Sequence, residues 1–134
     1  MTLNIEDRLD ILEVLALHGH LVDAGELDRM GEVFAEDATF DLTDFDAGIV
    51  TGLERLRAAA LALGDGNPVG HHVTNTVLTA ALDDGRVRAL SKGIGINAGA
   101  TCGSVTYEDT VVRGSAGWRI AYRRIVARRR PLGR

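Results

Sequence analysis

Apolar and polar positions change their period along this chain, first helical and then alternating. From Asn4 to about Val22, Ile5, Leu9 and Leu12 and then Ile11, Leu15, His18 and Val22 recur at helical spacing, which predicts a helix. Asn4 stands where it can cap that helix, and Glu6 and Asp7 in the first turn favour its dipole. Gly19 weakens the interior, and Ala24-Gly25 ends it. The next stretch predicts a shorter helix over Glu26–Ala35, with Leu27, Met30, Val33 and Phe34 inward. Asp37–Leu42 then alternates as a strand, Thr43–Gly48 is an acidic loop with a lone Phe45, and Ile49-Val50 forms a brief strand. Thr51-Gly52-Leu53-Glu54 reads as a capping box, so a helix is expected from about Gly52 to Leu63, stopping at Gly64.

Beyond the turn-rich Asp65–Pro68 the period is two. Strands are expected over His71–Leu82, Arg86–Asn97 and Ser104–Arg113, and from Trp118 to about Arg128, with turns at Asp83–Gly85, Gly99–Gly103 and Ser115–Gly117. Helices first and an antiparallel meander afterwards make an α+β pattern, read here as one domain over 1–134 with a basic tail at 129–134. The strand from Val87 to Gly95 uses small residues, Ala89, Ser91, Gly93 and Gly95, on one face. Small residues there fit a bend, a close approach of something, or crowding by a helix.

Composition narrows the function classes. The 46% apolar and 25% charged shares are those of an ordinary globular protein, and aromatics at 4% leave an aliphatic core. A net charge of −4 argues against nucleic acid as a partner. No apolar run approaches the length of a membrane span, and Glu6, Asp7 and Asp10 stand where a secretory signal would be basic. The single Cys102 allows no internal disulfide, which fits a cytoplasmic setting; without a basic neighbour it reads as a buried or idle thiol.

The stretch richest in chemistry is Gly70-His-His-Val-Thr-Asn-Thr-Val-Leu78. Alternation puts His71, Val73, Asn75 and Val77 on one face, and His72, Thr74, Thr76 and Leu78 on the other. An imidazole and an amide between valines suit a mostly apolar pocket with a few polar groups. His71 serves either as a proton shuttle or as a core histidine bonded to a carbonyl. Asp23, at the end of the first helix, serves as a general base, as the group that orients an imidazole, or as a cap for the next helix. His18 lies on the apolar stripe, and Asn75 either reaches a substrate oxygen or is structural. Tyr107 and Asp109 share a face with Val111 and point to a cavity or to a partner subunit; Trp118 is core or a stacking platform. The four histidines complete no metal site: His71 and His72 diverge, and His18 and His20 lie about 200° apart around a helix. No phosphate-cradling loop is present, and no cofactor is expected. Arg123, Arg124, Arg128, Arg129, Arg130 and Arg134 read as a solvated tail or as a site for an anionic partner.

Three motifs resemble a known family. His18-Gly-His-Leu-Val-Asp23-Ala-Gly-Glu-Leu-Asp28 followed by Val33-Phe34-Ala-Glu-Asp37, then His71–Asn75, then Tyr107–Arg113 with Gly117–Arg124, resemble SnoaL-like domains over about residues 3–128. These belong to the cystatin-like α+β cone superfamily of nuclear transport factor 2, scytalone dehydratase, ketosteroid isomerase and bile-acid 7α-dehydratase. The resemblance implies a curved, mostly antiparallel sheet packed on three helices around a pocket, and a homodimer or homotrimer joined through the sheet by residues such as Tyr122, Thr74 and Thr76. It also implies a cofactor-free dehydratase, isomerase or cyclase acting on a small hydrophobic, oxygenated ring or polyketide-like molecule. Asp23 and His71 would be the acid–base pair, with His18, Asn75, Tyr107, Asp109 and Trp118 toward the substrate. The chain departs from the bile-acid enzyme by carrying His18 where that has tyrosine, and it has no carboxylate within the strand over Arg86–Asn97. The same fold also implies an alternative: a non-catalytic module that binds a ligand or stabilises a partner, as the small subunit of a ring-hydroxylating dioxygenase does.

Overall fold

A computed structural model describes residues 2–134. Helix α1 runs Ile5–Asp23, and Asn4 caps it by accepting the Asp7 backbone N–H at 2.8 Å. Its inward stripe is Ile11, Leu15 and His18, joined by Gly19 and Leu21; Ile5 and Leu9, which share the helical spacing, stay exposed. Burying Ile11 and Leu15 completely is worth about 1.5–3 kcal/mol for each side chain.

The second helix is shorter and tighter than its pattern predicts. A 3₁₀-helix covers Leu27–Glu32, and strand β1 (Phe34–Asp41) has already begun at Phe34. Pairing with the last strand decides this, because Ile120 N–H donates to Val33 C=O at 2.8 Å and Phe34 lies opposite Ile120. The inward set is as expected: Met30, Val33 and Phe34 are buried. Strand β2 (Ile49–Thr51) then pairs with β1. The capping box does not form. Thr51 is the last residue of β2, and helix α2 (Leu53–Leu63) starts after Gly52, whose φ of 95° and lack of a side chain leave no cap oxygen. Glu54 pairs with Arg57 instead.

Four long strands follow: β3 (Gly70–Ala81), β4 (Val87–Ile96), β5 (Cys102–Gly114) and β6 (Gly117–Ala127). The sheet order is β2-β1-β6-β5-β4-β3, antiparallel except between β1 and β6, and the sheet does not close. The architecture is thus the α+β one expected, three helical segments on a mostly antiparallel sheet, open at β2 and β3. Cys102 is exposed at the start of β5, so the buried reading of this thiol is corrected.

Bulges decide which residues face inward around the site. In β3, Thr74 lies opposite Lys92 but Val77 lies opposite Leu90, so β3 holds one extra residue there. Asn75 adopts φ 56° within it. An extra residue breaks the two-residue alternation. His71 and Val73 face α1, but Asn75 and Val77 turn outward and Thr76 and Leu78 take the inner face. In β6, Thr110 lies opposite Tyr122 and Val111 opposite Ile120, so Ala121 is extra. Trp118 and Ile120 therefore face in, and after the bulge Arg123 does too.

Candidate active site

The site is built where α1 crosses the start of β3. A Cβ at Gly19 would overlap the carbonyl oxygen of His71, so only glycine lets the two backbones come this close. One helical turn later the chain ends α1 at Asp23, within reach of the same residue. The Asp23 carboxylate accepts the His71 backbone N–H at 3.0 and 3.1 Å and meets ring Nδ1 at 2.7 Å. A carboxylate that takes the Nδ1 proton fixes the imidazole's orientation and tautomer and leaves Nε2 to act. His71 Nε2 makes no hydrogen bond among the described residues. Both side chains are partly exposed, His71 at 16% and Asp23 at 29%.

Behind this pair lies His18, buried, with its ring 5.9 Å from that of His71, 6.4 Å from Tyr107 and 5.5 Å from Phe34. Burial, and then the charges of Arg123 and His71, hold its pKa well below the ordinary 6.5, so it is neutral near pH 7. Arg123 Nη1 stands 3.4 Å from His18 Nδ1. A guanidinium only donates, so Nδ1 is the acceptor and Nε2 of His18 carries the proton.

Arg123 is the residue the sequence pattern missed. It is fully buried and forms a fork with Asp109, Nε to Oδ1 at 2.7 Å and Nη2 to Oδ2 at 2.9 Å. Its guanidinium lies 4.1 Å from the Tyr107 ring centroid. Burial opposes the charge on Arg123, but the paired Asp109 outweighs it and raises the guanidinium pKa. The reading of Arg123 as part of a solvated basic tail is therefore corrected. Counting outward from Gly114↔Gly117 in an unbulged hairpin pairs Asp109 with Tyr122; the extra Ala121 moves the partner on by one. No local signal marks that bulge.

Tyr107 is buried, and burial pushes its hydroxyl pKa up. The small face of β4 serves this ring: a Cβ at Gly93 would overlap it. Ser91, opposite Tyr107, is 1% exposed and its hydroxyl has no hydrogen-bond partner among the described residues. The remaining expected residues lie elsewhere. Asn75 is exposed on the outer side and does not share a face with His71. Trp118 is core at the other end of the sheet, opposite Arg113, with its indole N–H donating to Asp7 at 3.2 Å. His72 points outward, as alternation requires. Thr76, expected in an outer interface, is on the inner face. Against His71 runs an open groove of about 200 Å³ lined by Ala16, His20, His71, His72, Val73 and Thr74.

Residues 4–124 match the family of SnoaL-like domains. The chain belongs to that family. Its structure is similar to that of a protein of unknown function with a cystatin-like fold from Nostoc punctiforme, at 23% identity and TM-score 0.79 over 96% of each chain. Two proteins from Novosphingobium aromaticivorans share the fold as well. A candidate scytalone dehydratase is 17% identical with TM-score 0.75, over 94% of this chain and 87% of that one. The beta subunit of a candidate aromatic-ring-hydroxylating dioxygenase is 18% identical with TM-score 0.66, over 92% of each chain. A comparison with curated proteins finds no match. At these identities the likeness is one of fold. Among the described residues of this SnoaL-like chain, no helix is long and apolar enough to cross a membrane, and no three His, Cys, Asp or Glu side chains gather as a metal site.

Proposed function

We propose that this SnoaL-like chain is an acid–base enzyme acting on a small, hydrophobic, oxygenated ring or polyketide-like molecule by dehydration, isomerisation or cyclisation. The observation that carries the reading is the 2.7 Å contact of Asp23 with His71 Nδ1, with Nε2 making no hydrogen bond among the described residues. His71 Nε2 is the base and Asp23 the group that orients it and stabilises the imidazolium. In a dehydration, Nε2 takes a proton from the carbon beside a carbonyl and the C–H pair forms the new double bond. The adjacent C–O bond breaks, and the proton held on His71 leaves with the hydroxide as water. His18, neutral with its proton on Nε2, and the Tyr107 hydroxyl are the donors suited to the carbonyl oxygen as charge develops there. The Asp109–Arg123 pair sits behind them and fixes their positions.

A direct test is proton exchange. The full chain is incubated in D₂O with a panel of cyclic hydroxyketones, and deuterium at the carbon beside the carbonyl is followed by NMR. Exchange that Asp23→Asn and His71→Gln abolish supports the reading. No exchange across the panel sinks it.

A second reading, a module that binds a ligand or stabilises a partner, is favoured by the crowded interior. Arg123, Asp109, Phe34 and Tyr107 are buried side by side there, and the groove against His71, about 200 Å³, is below the 300 Å³ or so at which ligand pockets usually begin. Ligand binding that survives Asp23→Asn, with no exchange, would favour it. Association through the outer sheet face, with Tyr122 and Thr74, belongs to this reading as well and is tested by the mass of the particle in solution.

A further inference from the structure

A second site is drawn by charge at the far end of β6. Lys92 Nζ and Arg128 Nε both donate to one oxygen, the hydroxyl of Thr106, at 2.9 and 3.0 Å. Thr106 is 2% exposed, so that oxygen is a fixed anchor and both its lone pairs are taken by cations. Neither Lys92 nor Arg128 is paired with a carboxylate among the described residues. Two like charges drawn to one neutral acceptor repel each other, a cost that an anion between them would turn into attraction.

The same end holds more positive charge. Arg128, Arg129, Arg130 and Arg134 line a concavity of about 270 Å³ together with Ala127 and Gly133. Arg129 is held in place by Asp44, with Nη1 3.4 Å from its carboxylate, Nη2 donating to its carbonyl at 3.0 Å, and the guanidinium over the Phe45 ring. Asp44 is the one carboxylate among the described residues that pairs there, and its oxygen also accepts the Ala127 N–H at 2.6 Å. Among the described residues, Arg130 and Arg134 have no ion pair. Lys92, Arg128, Arg130 and Arg134 thus make no side-chain ion pair among the described residues, in a chain whose formal net charge is −4.

We infer that this basic concavity binds the phosphate group of a small soluble molecule. A single carboxylate supplies one charge, whereas a phosphate monoester brings roughly 1.5–2 negative charges and three acceptor oxygens, which matches the guanidinium groups lining the concavity with Lys92 beside Arg128 on Thr106. Arginine forks recognise phosphate oxygens in pairs, and Lys92 adds a point charge. The concave shape favours one compact anion over an extended polyanion. The inference is independent of the acid–base reading, because Lys92 and Thr106 lie on the outer face of the sheet and His71 on the inner one.

The test is calorimetric titration of the full chain with sodium pyrophosphate at low ionic strength, beside sodium chloride at matched ionic strength, with backbone amides followed by NMR. Saturable binding is expected, with shifts centred on Lys92, Thr106 and Ala127–Arg130. Lys92→Gln and Arg128→Gln should each weaken it about tenfold, as loss of one charge-assisted contact does. Arg130→Gln, which removes an exposed and unpaired side chain, should weaken binding without moving Tm. Equal shifts in matched chloride, or variants that bind pyrophosphate as tightly as the parent chain, overturn the inference. So does binding only to phosphatidylcholine vesicles containing phosphatidylserine, because the occupant would then be a membrane surface.

Discussion

Asp23 holds His71 at two points, the ring Nδ1 at 2.7 Å and the backbone N–H at 3.0 Å, across 48 residues of chain. The double hold ties the end of α1 to the start of β3 and fixes the imidazole that the proposed chemistry uses. An Asp23→Asn variant keeps an oxygen for the backbone amide but loses the charge that opposes the imidazolium. Activity in the exchange assay should fall by a hundredfold or more, on the order of a general base's contribution, while the far-ultraviolet circular dichroism is unchanged. A loss of less than about threefold would remove Asp23 from the role of orienting and charging His71.

Gly19 offers a test with an unusual sign. Glycine to alanine inside a helix ordinarily stabilises by about 0.5–1 kcal/mol. Here the added Cβ would overlap the His71 carbonyl oxygen, a backbone atom with nowhere to move. Gly19→Ala should therefore destabilise by roughly 1–3 kcal/mol, as overpacking does, read as a lower urea midpoint. It should also lower activity by displacing His71. A higher midpoint would mean that α1 and β3 are not in close contact.

The Asp109–Arg123 fork should be strongly coupled. Removing one member leaves a buried, uncompensated charge, so Asp109→Asn and Arg123→Met should each cost about 3–5 kcal/mol. Replacing both, as Asp109→Asn with Arg123→Met, should cost clearly less than the two single changes together. Urea denaturation of the four proteins closes that cycle, and additive losses would contradict a buried pair.

Stability should depend on pH through His18. Its folded pKa lies well below 6.5, so the unfolded chain binds the proton first as pH falls. The contribution is therefore absent above about pH 6.5 and becomes a growing loss of stability from there down toward the folded value. A His18→Gln variant should flatten the urea midpoint between pH 7.5 and 5. The carboxylates of Glu32, Asp41 and Asp84, whose pKa values are lowered by hydrogen bonds, act only below that window. An unchanged slope in His18→Gln would show that His18 is not buried as a neutral ring.

Much of the architecture was legible in the order of residues. The helical stripe through Ile11, Leu15 and His18, the Asn4 cap and the four long alternating strands all follow from local periodicity, which local chemistry enforces. The motif resemblance placed Asp23 and His71 together, and they are in contact. A second, shorter helix was legible, but its 3₁₀ form, its end at Glu32 and the absent capping box were not, because pairing of Phe34 with Ile120 and of Thr51 with Thr39 overrode local preference.

By itself, then, the sequence determined which segments are helix or strand and singled out Asp23 and His71 as titratable residues on them. Tertiary structure alone decided that Asn75 turns outward and Arg123 inward. The physical reason is that strand alternation is a local rule, but each bulge is a long-range choice. One extra residue at Asn75 and one at Ala121 reverse the faces beyond them. At Ala121 the bulge is accompanied by the bonds it allows between Asp109 and Arg123, partners on neighbouring strands that no reading of one segment can pair.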